Sequence, residues 1–203
     1  MAAESAAVLV AAPEVAAAWT EPSALTGFTV GGLAEHLAGQ VLFVAGTIAG
    51  PPPSDGTVSL LEHYDRVTWL GADLDQEVNV AIRESGEGQA AEGPAALVER
   101  IGEALVDLRG LLAEQPADKV VQPPAGPWGL RLDDFLVTRM MEIAVHSDDL
   151  AASVGVPTPE LPEDVLEPVF ALLLRLSVRR HGAVPVLRAL SRSERALGTV
   201  SAF

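Results

Sequence analysis

From Val30 the apolar residues Val30, Leu33, Leu37, Val41, Val44 and Ile48 recur at helical spacing. They predict a helix with one buried stripe. Thr29 is placed to cap it, and Gly50 with Pro51, Pro52 and Pro53 ends it, because proline cannot continue a helix. A second stripe, Leu97, Ile101, Leu105, Leu108 and Leu112, predicts a helix from Pro94, a favoured first-turn residue, to about Glu114. Asp133 and Asp134 are good caps for a helix reaching about Ser153, and another runs from Glu163 to His181 before Gly182. The remaining pattern is weaker. Residues 3–19 are Ala-rich and helical in propensity, with a break or kink at Pro13. Asp55 or Thr57 starts a helix carrying Leu60, Leu61, Tyr64, Val67 and Trp69 toward Val80 or Ile82. Residues 84–93, rich in Gly, Glu, Gln and Ser, predict a loop. Lys119 to Val121 predicts a short strand or extended segment, and Pro123, Pro124, Gly126 and Pro127 force a loop that delivers Trp128. The tail 183–203 predicts a small helix packed on the rest. The fold class is all-α, an up-down four-helix bundle with additional C-terminal helices.

Composition narrows this picture. Aromatic residues make up 4% of the 203, so the core is built from Ala, Leu and Val, which favours closely packed helices. The net charge of −15 repels phosphate backbones and argues against nucleic acid as a partner. It also rules against a helix-turn-helix reading of the segment T-V-G-G-L-A-E-H-L, whose following residues offer nothing to read base edges. The apolar N-terminus lacks a basic leader and carries Glu4 and Glu14, and the strongly apolar run 41–50 is too short to span a bilayer. A cytoplasmic protein with no membrane partner is expected. The chain contains no cysteine, so any thiol chemistry requires a thiol from a bound small molecule.

Candidate chemistry centres on residues 139–150, R-M-M-E-I-A-V-H-S-D-D-L. Glu142 and His146 are four positions apart and leave one face of a helix about one turn apart, where they can hold a divalent metal or act as an acid/base pair. The same spacing also makes an ordinary surface pair. His36 lies beside Leu33 and Leu37, on or near the buried face of its helix, and is either a third ligand or a satisfied core histidine. Asp149, three residues after His146, can orient the imidazole. Arg139, one turn before Glu142, can steady that carboxylate or bind an anionic group. Asp148 reads as a solvated helix end. Glu35 points about 100° away from His36 on a helix. His63 reads as a surface histidine and His181 as a structural one at a helix C-terminus.

The segments G-F-T-V-G-G-L-A-E-H-L and T-R-M-M-E-I-A-V-H-S-D-D-L-A-A-S-V-G, in that order and spacing, resemble the mycothiol-dependent maleylpyruvate isomerase family, a branch of the DinB-like superfamily of metal-binding helical bundles. The resemblance implies a DinB-like metal-binding bundle over residues 1–155 and a helical extension over 156–203. It implies a divalent metal, usually zinc, held by His36, Glu142 and His146, with mycothiol or a similar thiol as cosubstrate and a small electrophile as its partner. A homodimer is an option. The named isomerase carries a distinct C-terminal domain, whereas about fifty residues follow Ser153 here. Transferase and isomerase chemistry therefore both stay open, as does the alternative of a non-catalytic bundle that binds a small ligand or partner protein.

Overall fold

A computed structural model describes residues 1–196 and 198–203; Leu197 lies outside the described residues. The fold is all-α, in keeping with a DinB-like helical bundle. The helices are α1 (Ala2–Val10), α2 (Pro13–Ala17), α3 (Val30–Ala49), α4 (Leu60–Arg66), α5 (Glu77–Ala90), α6 (Pro94–Ala113), α7 (Leu132–Val154), α8 (Glu163–His181) and α9 (Ala183–Ser191), followed by a 3₁₀ turn at Ser193–Arg195. One small antiparallel hairpin, β1 (Val120–Val121) and β2 (Leu130–Arg131), precedes α7.

Helix α3 is the axis of the molecule. It packs against α1, α5, α6 and α7, while α1 also packs on α6 and α7. Leu33, Leu37 and Val41 are 0–1% exposed, as the stripe predicts. Each such side chain stabilises the fold by roughly 1.5–3 kcal/mol relative to an exposed one. Thr29 caps the helix by accepting from the Gly32 N–H. By length and composition α3 could cross a membrane, but 67% of the apolar window that passes this test is buried inside the fold. Helix α8 packs on α7 and buries Val165, Val169, Leu172 and Leu176, and α9 packs on α8.

Three sequence expectations are corrected here. The segment 84–93 is not a loop: most of it belongs to α5, which lies along α3. One of its glycines serves a close approach. A Cβ at Gly86 would sit 2.7 Å from the Gly32 carbonyl oxygen, so the two backbones can meet only without side chains there. Glu87 then reaches α3 and accepts from the Thr29 N–H at 2.7 Å and its hydroxyl at 2.9 Å. Second, the helix expected from residue 55 or 57 toward 80 or 82 is two helices. Ser59, not Asp55 or Thr57, starts α4 through a capping box with Glu62. The chain leaves the helix at Val67 and resumes at Glu77. Third, Arg131 holds the cap position of α7, with no side-chain cap. The Asp133 carboxylate is taken up by Arg131 and by the N–H of Asp134.

Candidate metal centre

Helices α3 and α7 face each other across the core, and this packing brings residues 110 positions apart into contact. His36 Nε2 lies 3.2 Å from His146 Nε2, which in turn lies 3.1 Å from Glu142 Oε2. All three atoms fall within 4.8 Å of one another. The edges of a tetrahedron with metal–ligand bonds of 2.0–2.1 Å measure about 3.3 Å, close to the separations of His146 Nε2 from each of its two neighbours. The donor set, two imidazoles and one carboxylate, is one that divalent zinc accepts, leaving a fourth position for a small molecule. The Glu142 and His146 side chains are 13% and 14% exposed, so the cluster is enclosed but reachable.

The supports are in place as well. His146 Nδ1 lies 3.0 Å from Asp149 Oδ2, which leaves Nε2 to face His36 and Glu142. Asp149 sits on the last turns of α7, where Ser153 donates to its carbonyl and also accepts from the Ala24 N–H. The His36 ring packs near Phe28, with centroids 5.7 Å apart. Gln40, buried one turn along α3, donates to the His36 carbonyl and accepts from Arg139. Arg139 does not grip Glu142: its guanidinium binds Gln40 and the Thr138 hydroxyl and lies over the Phe135 ring. Its positive charge nevertheless helps hold Glu142 ionised.

Electrostatics divide the triad. Burial pulls His146 toward the neutral form, but hydrogen bonds to Asp149 and Glu142, and their charges, outweigh it and raise its pKa to about 9. Burial pushes Glu142 upward, and the hydrogen bond and charge of His146, with Arg139 and His36, outweigh this and bring it to about 2. Burial first, and the His146 charge second, push His36 down to about 4. Without metal, the cluster at neutral pH is thus a neutral His36, an ionised Glu142 and a protonated His146.

This arrangement fixes a pH dependence. A metal ligand must be deprotonated, so binding expels the His146 proton. Apparent metal affinity is expected to rise with pH, by up to about tenfold per unit below pH 9, and to level off above it. In the metal-free protein the sign is opposite. A folded pKa above the unfolded value gives stability that is full below about pH 6.5 and is lost as pH rises through 9. Metal titrations and thermal melts at pH 6, 7.5 and 9 check both slopes.

Other candidate residues fall elsewhere. Glu35 is 1% exposed and turned to α6, where both its oxygens accept from Arg100 at 2.6–2.7 Å, so it is no co-ligand. Asp148 is exposed and accepts from the Thr158 hydroxyl. His181 Nε2 contacts the Ser201 carbonyl. His63 corrects its surface assignment: it is 3% exposed and bonded to Trp128. The sequence did carry signals for the missed residues. Gln40 interrupts an apolar stripe at i+4 from His36, and a proline-rich loop that delivers a tryptophan calls for a buried partner.

In a comparison with known protein families, a model described as the mycothiol maleylpyruvate isomerase N-terminal domain matches residues 1–151. No curated protein and no solved structure matches the chain.

Proposed function

The chain belongs to the mycothiol maleylpyruvate isomerase N-terminal domain family, and from that premise we propose that it is a metal-dependent enzyme that uses a low-molecular-weight thiol such as mycothiol to transfer to, or isomerise, a small electrophile. The observation that carries the reading is the convergence of His36 Nε2, Glu142 Oε2 and His146 Nε2 from two helices. These residues would hold the metal, with zinc the best fit to two imidazoles and a carboxylate. When bound, such an ion supplies a Lewis acid that lowers the pKa of a thiol or water at its open position.

The protein's own groups do the rest. Asp149 holds His146 in the tautomer that turns Nε2 inward. Glu142 stays anionic and offsets the charge of a dication. Gln40 anchors Arg139, whose positive charge acts on His36 and Glu142 and would attract an anionic group of the substrate. The absence of cysteine fits a thiol that arrives from outside the chain. A net charge of −15 suits small-molecule partners better than nucleic acid. The family match ends at residue 151, and α8, which packs on α7, and α9, which packs on α8, would form a C-terminal extension of the bundle.

Metal analysis of purified protein, followed by thiol-consumption assays with mycothiol and a panel of activated alkenes and keto acids, tests the proposal. The expected result is about one zinc-sized ion per chain and turnover that needs both metal and thiol. Protein that takes up no metal, or turnover indifferent to chelation, overturns it.

A further inference from the structure

Helix α8 has two faces. One buries Val165, Val169, Leu172 and Leu176. The other is turned to solvent and falls into three blocks. Glu163, Asp164 and Glu167 occupy its first turns, Phe170, Ala171 and Leu174 its middle, and Arg175, Arg179 and Arg180 its last turns. Acidic first turns and basic last turns suit the helix dipole. An exposed phenylalanine between them does not follow from that. Phe170 is 60% exposed, and Leu174, one turn on, is 45% exposed. Arg179 binds Asp65. Glu163, Asp164, Glu167, Arg175 and Arg180 have no ion pair among the described residues.

The order of these blocks is self-complementary in one direction only. Laid antiparallel on its own copy, with a two-fold axis between Phe170 and Leu174, the face sets Phe170 against the copy's Leu174 and Asp164 against the copy's Arg180. Laid parallel, it sets acid on acid and base on base. Helix α9 extends the match. Pro162, which precedes α8, and Gly182, which ends it, are equally far from Leu172, about 15 Å along the helix axis. In the antiparallel pair, α9 of one copy therefore starts beside residues 158–161 of the other. Those residues line a cavity of about 680 Å³ between α7 and α8, whose wall also carries Asp148, Asp149 and Leu166. On α9, Val184, Leu187 and Leu190 are each more than half exposed, and Arg188 stands beside them in solvent. An apolar helix face with an arginine thus meets a partly apolar cavity with the carboxylates of Asp148, Asp149 and Glu160.

We propose that the protein is a symmetric dimer in which α8 pairs antiparallel with α8 of a second copy around Phe170 and Leu174, and α9 of each copy covers the other's cavity at Asp148, Asp149 and Glu160. Exposed apolar residues of this extent mark a surface that something covers. A second copy is favoured over an anionic membrane, the other occupant that leucines and arginines on one helix would suit, because a chain of net charge −15 is repelled by such a surface. Both helices follow the residues matched by the family model, so the interface is a feature of this chain's C-terminal part. It does not depend on a bound metal, although Asp149 both lines the covered cavity and holds His146.

Sedimentation velocity of the full chain at micromolar concentration is expected to show twice the chain mass. Phe170→Glu is expected to weaken the dimer at least about 30-fold, as loss of a central aromatic anchor does. Its circular dichroism is expected to match wild type, since the side chain is already exposed within the chain. Asp164→Arg sets arginine against the copy's Arg180 and is expected to weaken the dimer about tenfold or more, and adding Arg180→Asp to restore it. That rescue cannot come from α8 alone, because each reversal opposes the helix dipole. Leu187→Glu tests the arm and is also expected to weaken the dimer about tenfold or more. A wild-type monomer overturns the proposal, as does a dimer indifferent to Phe170→Glu or one that the double reversal leaves as weak as the single. A dimer indifferent to Leu187→Glu overturns the placement of α9. A monomer that sediments with phosphatidylglycerol vesicles and not with phosphatidylcholine vesicles assigns the face to lipid and overturns the dimer equally.

Discussion

His36→Ala is expected to lower metal affinity by more than about 100-fold, because losing a partner one layer outside a metal's ligands already costs 10–100-fold. The two remaining ligands, Glu142 and His146, both come from α7, and on their own they offer an ion an edge with no third point. The helices themselves are expected to stay folded. His36 is held neutral by burial and by its protonated neighbour, so its removal breaks no ion pair and relieves some crowding of positive charge. That separates a lost site from a lost fold. Adding zinc is expected to raise the melting temperature of wild type, since a ligand that binds only the native state stabilises it by mass action, and to leave His36→Ala unmoved. A thermal-shift series with and without zinc reads this directly. Equal zinc-induced shifts in both proteins would falsify the triad.

The second large effect lies away from the pocket. Arg100→Met is expected to destabilise the protein by about 3 kcal/mol at pH 8, the low end for breaking a buried ion pair, because the Arg100 side chain keeps some water. Its side chain is 31% exposed, while that of Glu35 is fully buried between α3 and α6. Burial already pushes the Glu35 pKa up, and the hydrogen bonds and charge of Arg100 are what hold it back. Without Arg100 the carboxyl rises further. A carboxyl whose folded pKa exceeds its unfolded value weakens the fold above the folded pKa, and that penalty fades as pH falls toward the unfolded value near 4.3. The deficit is therefore expected to shrink between pH 8 and pH 5. Urea unfolding of both proteins at the two pH values checks magnitude and slope together; a deficit independent of pH would mean that lost packing, not charge, is responsible.

Much of this molecule is legible in its residue order because the signals are local. The boundaries of α3, α6 and α8 follow from Thr29, Pro94, Glu163 and Gly182 together with apolar stripes of helical period. The pairing of Glu142 with His146, and of Asp149 behind it, follows from helical geometry alone. What eluded a local reading depended on distant partners. Residues 84–90 have the composition of a loop and the structure of a helix, because Gly86 lets α5 press against Gly32 and Glu87 complete the cap of α3. His63 looks like a surface residue in its own segment and is buried by Trp128, 65 positions away.

The amino-acid order by itself determined an all-α chain, free of cysteine, with two candidate ligands on one helix face and a third on another helix. Only the tertiary structure decided that the third belongs with the first two. Periodicity says which face of α3 is buried, but not that the packing of α3 on α7 sets His36 Nε2 3.2 Å from His146 Nε2. Likewise, only the packed fold shows that Arg139 is held by Gln40, and that the Tyr64 hydroxyl is buried without a partner among the described residues. The reason is physical: helical spacing is set within a few residues, whereas a site is set by the contacts between helices, which no single helix carries.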